Sequence, residues 1–560
     1  MKKPASSGHK SGTASDLQSA RALQSRGQFA QARALCESAL RHAPPDFDTL
    51  LLLGVLAMQQ QDHQASVDFL CRAIEIRPNS PTAYYALGVT MCGLQQYAGA
   101  IECFDKSLAL APRYADAACD RGSALFELGR HQAALESYEL AIHIDARHVS
   151  AWSNRGNALL ALGHVSAAIA SFDQALALNP ESAATYLNRG NALQAAGEAE
   201  LALDSYDRTI ALQPQDLLAH ANRSSALKQL HRFEEALASC ERALAIDPQH
   251  ADTHWNRGLT LLLLGDLRRG FADYQWRWKR AAFAPIQRHF RPPMWLGDTS
   301  VQGKTVLLHA EQGLGDSLQF ARYAQAVSDL GARVVLEAEP ALFALFDALP
   351  GVDQLVRQGD ALPLFDLHCP LLTLPLALGT TLDSIPAAVP YLRADTDLQA
   401  LWRARLDTAD PLRVGLVWSG SPTHQDDHNR SIPLAALLAH LPPGPQYVSL
   451  QKEVRESDQA ALQASGLVHF GPQLQSFSDT AALCACMDVV ISVDTSVAHL
   501  SGALGKTTWI LLPYLPDWRW LLARSDSPWY PSARLYRQVQ PHDWSTPLAR
   551  LAADLKVLRH

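Results

Sequence analysis

One small residue returns every 34 positions through the first half of the chain. Gly54, Gly88, Gly122, Gly156, Gly190 and Gly258 lie on this grid, and Ser224 fills the missing step. A second grid at the same spacing carries Ala32, Ala100, Ala134, Ala168, Ala202 and Ala236. A third carries Pro44, Pro78, Pro112, Pro180, Pro214 and Pro248, with Ala146 as the exception. Bulky residues stand between the last two: Leu70, Phe104, Tyr138, Phe172, Tyr206 and Tyr274. The chemistry predicts pairs of antiparallel helices. Small residues let the two helices approach closely, the bulky residue fills the gap, and the proline stops the second helix. No single unit buries its own apolar face, so neighbours must stack into a solenoid.

This grid resembles the tetratricopeptide repeat, and about eight units cover residues 13–284. A further grid bears on function. Asn154, Asn188, Asn222 and Asn256 recur at the same spacing, with Asp120 at the preceding step. Each is followed by an arginine: Arg121, Arg155, Arg189, Arg223 and Arg257. An asparagine ladder can bond the backbone of an extended peptide without reading its sequence, because amides both donate and accept. It resembles the ladder in the repeat region of O-GlcNAc transferase, which implies that a protein or peptide acceptor lies in this groove. The alternative is that these residues solvate the helices and bond between repeats.

Composition narrows the partners. Lys and Arg number 48 against 56 Asp and Glu, a formal net charge of −8. Such a chain has no general attraction for nucleic acid or anionic membrane. Its apolar runs are far shorter than the ~20 residues a membrane span needs. Residues 1–12 form a Lys-, Ser- and Gly-rich stretch without the apolar core of a signal peptide, and are expected to be a flexible tail. The nine cysteines have no framework spacing. They are expected to be reduced packing thiols of a cytoplasmic protein.

After the repeats, Tyr274-Gln-Trp-Arg-Trp-Lys-Arg280 is expected to cap the solenoid, and Arg291-Pro292-Pro293 to mark its end. Beyond it the pattern changes to strand–helix–strand alternation, hence a parallel sheet. Residues 304–310, 333–338 and 365–368 read as strands, 318–330 as a helix, and Pro340 as the start of another. A second block of this kind has strands at 414–418, 447–450, 489–493 and 508–512 and helices at 479–487 and 496–504. The expected lobes are 293–409 and 410–560, joined at Asp410-Pro411. Two Rossmann-like lobes with a cleft between them would make the α/β architecture called GT-B.

Three motifs carry chemistry. Gly313-Leu314-Gly315 follows a strand, but Leu318 stands where a dinucleotide fingerprint needs its third glycine. Asp316 would also repel a pyrophosphate at that helix start, which disfavours a nicotinamide cofactor. Asp316 is better placed as a general base at a strand's carboxyl end; the bland alternative is a helix cap. Ser492-Val-Asp494-Thr495-Ser496-Val-Ala-His499 joins a strand to a helix whose start suits a diphosphate. Arg430, in Asn429-Arg430-Ser431, is the candidate cation for a leaving diphosphate. Each of these also has a structural reading, as cap, core histidine or surface charge.

Gly315-Asp316, Arg430 and Asp494-Thr495 with His499 resemble heptosyltransferases and their relatives over roughly 300–560. The resemblance extends to bacterial proteins with tetratricopeptide repeats before such a domain. It implies an inverting, metal-independent glycosyltransferase that needs no cofactor and uses a nucleotide-sugar as substrate. Asp316 would be the base, Arg430 the diphosphate contact, and Asp494, Thr495, Ser496 and His499 the donor site. The usual lysine near the donor phosphates is missing from these motifs, where only Arg430 is offered. Weaker candidates are His309 as an alternative base, Asp395-Thr-Asp397 as a metal-binding pair, and His424, Asp426, Asp427 and His428 as a metal cluster. Asp517-Trp-Arg-Trp520 and Trp529-Tyr530 are expected to wall the cleft or pack the lobes. The rival class is a repeat scaffold whose transferase-like domain has lost activity.

Overall fold

A computed structural model describes residues 9–42, 44–406, 412–424 and 426–558. The expected linker Asp410-Pro411 and residues 1–8 of the expected tail lie outside the described residues. The first helix starts at His9, within the stretch expected to be a tail. The chain divides into two compact units, residues 1–230 and 231–560. The division falls inside the repeat array, so the helices Phe233–Ile246, Ala251–Leu263 and Leu267–Tyr274 go with the second unit.

The first unit is helical throughout its described length, from His9–Ser25 to Leu217–Gln229. The glycine grid has a direct steric cause. A Cβ at Gly88 would lie 2.6 Å from the Phe104 ring; at Gly122, 2.6 Å from Tyr138; at Gly156, 2.5 Å from Phe172; and at Gly190, 2.5 Å from Tyr206. Each ring fills the space left by the glycine sixteen residues before it. Leu70 does the same for Gly54 at 2.5 Å.

The second unit carries two parallel sheets. The first contains β1 (Thr305–His309), β2 (Arg333–Ala338), β3 (Gln354–Arg357) and β4 (Leu367–Pro370), in the order β3-β2-β1-β4. The second contains β5 (Arg413–Val417), β6 (Gln446–Ser449), β7 (Val468–His469), β8 (Val489–Val493), β9 (Thr507–Leu512) and β10 (Ala533–Arg537). Its order is β10-β9-β8-β5-β6-β7. Both faces of this sheet are covered, which is why its central strands read as unbroken apolar runs. Val489, Ile491 and Val493 enter one core together with Trp509 and Leu511, while Val490, Ile510 and Leu512 enter the other.

Two expectations differ. The helix over 318–330 is interrupted: it runs as Leu314–Phe320 and Tyr323–Asp329. At the break Arg322 donates to the Gln319 carbonyl at 2.8 Å, so its side chain turns back on the preceding helix. After Pro340 only a single 3-10 turn forms, Phe343–Phe346.

In the second sheet the chain winds outward in two directions from the central pair β5 and β8; in the first it runs from β1 through β2 to β3 and then crosses to the edge strand β4 on the other side of β1. The loops leaving the carboxyl ends of such a pair diverge and open a crevice, where open parallel sheets bind ligands. The helix that follows β1, Leu314–Phe320, carries Asp316 in its first turn. The loop after β5 carries Arg430, and the turn after β8 carries Asp494.

Candidate functional site

These three segments, far apart in sequence, meet in the second unit. Gly315 packs directly on the start of the helix Ser496–Ala503. A Cβ there would lie 3.1 Å from His499 Cδ2 and 3.5 Å from the Ser496 Cα. Arg430 donates to the Asp494 carbonyl at 2.9 Å. Asp316 accepts from the Gly313 N–H at 2.9 Å through Oδ2 and from Arg519 through Oδ1.

Asp316 therefore does what both of its readings describe. It closes the first turn of its own helix, and it retains 19% side-chain exposure beside the crevice. Burial pushes its carboxyl above the ordinary value, against the pull of Arg519 and the Gly313 N–H.

Arg519 is the residue that the motif reading missed. Its guanidinium bonds Asp316 on one side and Asp517 at 2.8 Å on the other. It lies over the Trp518 ring, 4.3 Å from the centroid. Burial works against its charge, but Asp517 and Asp316 more than offset this and hold it protonated. The sequence signal was an arginine inside the aromatic run Asp517-Trp518-Arg519-Trp520. Nothing local said that its partner stands some two hundred residues earlier.

Asp494 is largely buried, and its carboxyl is pushed up to about 6. Burial is the main cause and Asp517 adds to it; the Trp520 indole, Arg430 and Arg519 pull the other way. His499 bonds the Tyr530 hydroxyl through Nδ1 at 3.0 Å, stacks on Trp520 at 5.3 Å, and lies 3.9 Å from Asp494. Burial, with Arg519 and Arg322 nearby, keeps its imidazole neutral, well below the usual histidine range. Thr495 stands at the N-cap of the helix, bonded to the Ser492 hydroxyl at 3.1 Å, and Ser496 opens the first turn. Arg430 is braced by Asp427, 3.6 Å away, which also pairs with Arg455 and accepts from Ser431 at 2.8 Å.

The other candidates have structural occupations. His309 is buried against His368, with 3.1 Å between ring nitrogens, and desolvation pushes it down to about 3. Asp395 caps the helix Thr396–Arg405, accepting from Asp397 and Leu398 N–H groups at 2.9 Å. Asp427 is engaged by Arg455, Arg430 and Ser431 as above. Among the described residues, no group of three or more His, Cys, Asp or Glu is arranged to hold a metal.

In the repeats the arginine grid is a structural ladder. Arg155 bonds Glu139 at 2.9 Å, sixteen residues back, and Ser171 at 2.8 Å, sixteen residues on. Arg189 repeats this with Asp173 and Ser205, and Arg121 with Asp105 and Ser137. Each arginine thus ties its own unit to the one before. The asparagines are half-buried. Asn154 reaches Ser123 at 3.4 Å and Asn222 reaches Asn191 at 2.8 Å, each bond running to the preceding unit. Asn188 and Asn256 occupy the same register with similar exposure.

Family comparisons bear on this half. Tetratricopeptide repeat models match residues 17–81, 81–114, 153–216 and 217–250, and a TPR repeat model matches 122–163. The N-terminal region is built of tetratricopeptide repeats. Repeats of this kind are protein-interaction modules. The chain is similar to protein FlbA of Caulobacter vibrioides, 28% identical over 322 residues, which is 53% of either chain. It thus spans about half the length of that relative. Among solved structures it is similar to PilF of Pseudomonas aeruginosa, with TM-score 0.34 and 22% identity over 37% of this chain and 94% of that one. YrrB, a repeat protein with an unusual peptide-binding site, gives TM-score 0.29 and 21% identity over 33% and 95%. No helix among the described residues is long and apolar enough to cross a membrane.

Proposed function

We propose that this chain is a glycosyltransferase that moves a sugar from a nucleotide-diphosphate donor to an acceptor, and that its repeats hold a protein acceptor. The observation that carries the reading is the meeting of three distant segments. Asp316, Arg430 and the helix start at Thr495 and Ser496 come together beside crevices at the carboxyl ends of two parallel sheets. That arrangement supports the two-lobed GT-B reading.

In the proposed step the diphosphate rests against the first turn of the helix Ser496–Ala503. There the N–H groups lack intrahelical partners, and Arg430 supplies the matching charge. An acceptor hydroxyl or amide attacks the anomeric carbon in line with the departing group. Asp316 takes the acceptor proton, the bond from the anomeric carbon to the phosphate oxygen breaks, and its electron pair leaves with the nucleoside diphosphate. Attack from the opposite face inverts the anomeric centre. Charge on the leaving group is met by fixed donors, so the step calls on no metal ion. A base of raised pKa suits proton abstraction near neutrality. Asp494 and His499 shape the donor pocket, and the asparagine register of the repeats offers amides to an extended acceptor chain.

A second reading has its own observation. In this structure the Asp316 carboxylate is taken by Arg519, and an ion-paired carboxylate is a poor base. A scaffold with an idle transferase-like domain fits that state; a working enzyme must shift Arg519 toward the incoming diphosphate. Thermal unfolding with UDP, GDP, ADP, dTDP and CDP separates the two. A ligand at a hundredfold its dissociation constant adds about 2.7 kcal/mol to the native state. A selective rise in midpoint with one nucleotide, reduced in Arg430→Met, is the expected result. No shift with any of the five refutes the donor site and leaves the scaffold.

A further inference from the structure

The terminal repeat breaks its own grid. In the units before it, the side chain sixteen residues on, Leu70 or an aromatic ring, fills the gap left by each glycine. At Gly258 the neighbours are instead the Asp273 Cβ at 3.0 Å and the Tyr274 backbone N at 3.1 Å. The Tyr274 ring has left its usual place. Its hydroxyl accepts from Gln312 Nε2 at 3.0 Å, and its ring lies 6.5 Å from Trp518. Phe271, from the same short helix, meets the Trp518 ring edge-on at 5.4 Å.

A buried ion pair lies beside this contact. Arg277 donates to Glu311 at 2.7 Å and to Thr373 at 2.8 Å, and both charged side chains are at most 1% exposed. The Tyr274 and Trp278 rings flank its guanidinium at 4.8 and 4.5 Å. Apolar residues of similar size could fill that space at no loss of stability, so the pair calls for a further explanation. Glu311 and Gln312 open the loop that ends in Asp316. Trp518 precedes Arg519, which holds Asp316. Contacts and chain neighbours together close into a ring: Tyr274 bonds Gln312, the adjoining Gly313 N–H bonds Asp316, Asp316 pairs with Arg519, and Trp518 beside Arg519 meets Tyr274.

We infer that the end of the repeat array is part of the reaction apparatus, with Tyr274 and Arg277 as positioning residues for Asp316 and Arg519. Neither touches the reacting atoms. Arg277 fixes the loop after β1 through Glu311, and Tyr274 spans from that loop to Trp518. The inference rests on the reading of Asp316 as the base, because it assigns these residues a role only in placing that carboxylate.

The test uses the full-length chain and follows release of nucleoside diphosphate from UDP-, GDP-, ADP-, dTDP- and CDP-sugars. Tyr274→Phe keeps the ring and removes only the hydroxyl. It is expected to lower kcat about tenfold while donor KM stays put, as for a misplaced catalytic group. Arg277→Met alone would strand the Glu311 charge and lose stability. The double variant Arg277→Met/Glu311→Met is expected to unfold at the wild-type midpoint yet remain slow. A purely structural role would restore turnover together with stability, and that outcome overturns the inference. So does a Tyr274→Phe variant with wild-type kcat. If the wild-type chain releases nothing from any donor, or Asp316→Asn turns over normally, the reading of Asp316 has failed and the inference falls with it.

Discussion

Gly156 offers the cleanest measure of what the 34-residue grid does. A methyl added there would lie 2.5, 2.7 and 2.8 Å from three ring carbons of Phe172, a side chain with no exposed surface. The ring has no free space to move into, so helices Val149–Ala161 and Val165–Leu178 must part. Overpacking of this kind costs roughly 1–3 kcal/mol. Replacing glycine by alanine inside a helix returns roughly 1 kcal/mol. The expected net loss for Gly156→Ala is therefore up to about 2 kcal/mol, where helix propensity alone would give a gain of about 1 kcal/mol. Where glycine gives way to Ser224, the sequence places Cys240 in the bulky position sixteen residues on. Gly156→Ser with Phe172→Cys copies that pair. Phe172→Cys alone should cost about 3 kcal/mol, and the double variant should fall short of the summed losses by about 1 kcal/mol. Amide hydrogen exchange of the two helices reads the local opening free energy, and urea unfolding gives the midpoint. A Gly156→Ala variant stabilised by the full propensity gain of about 1 kcal/mol, or strict additivity in the double variant, would refute the steric account of the grid.

Two further perturbations test the electrostatics. Arg155→Met removes bonds to Glu139 and Ser171 at a half-exposed site and should cost about 1 kcal/mol. Arg257→Met leaves Asp273, a carboxylate held by Arg257 at 2.6 and 2.9 Å and only 9% exposed, with His254 at 2.9 Å as its remaining side-chain partner, and should cost about 2 kcal/mol in the same urea assay. Acid stability should report the His309–His368 pair. Burial pushes them down to about 3 and about 4, so as pH falls the unfolded chain takes up protons first. Their contribution is whole above about pH 6.5 and drains away toward about pH 4. Urea midpoints across that range should fall in the wild type and fall less in His309→Asn/His368→Asn; equal slopes would rule out this origin.

The repeats were legible because their signal is redundant. The glycine, alanine, proline and bulky grids each report the same helix pair, and the loss of any one step leaves the others. The inner strands of the second sheet were legible for a related reason. Residues 489–493 and 508–512 are buried on both faces, so burial writes an unbroken apolar run into the sequence. Two of the edge strands, β3 and β7, were not legible. Gln354–Arg357 and Val468–His469 are short and carry polar or charged residues, because an edge has fewer apolar neighbours to satisfy. Asp316, Arg430 and Asp494 each stood out locally, on a turn between a strand and a helix. Arg519 did not, because its meaning is a contact with Asp316, and a single sequence carries no mark of that distance.

The period that made the repeats readable also conceals where they change use. On the grid Tyr274 is equivalent to Tyr206, and Arg257 to Arg189. Tyr206 fills the space over Gly190; Tyr274 leaves Gly258 and bonds Gln312. Arg189 bonds an acid sixteen residues back; Arg257 bonds Asp273, sixteen residues on. Both departures fall in the segment that groups with the two sheets and not with the first unit. The tyrosine and arginine themselves are unchanged; what differs is what they meet, and for Arg257 that partner is Asp273, which stands on the grid where Ser205 stands. A repeat motif can therefore be conserved in form while its last copy is turned from stacking on the next unit to holding the loops of another fold, and the boundary drawn from the period at residue 284 lies some fifty residues past the place where the compact units divide.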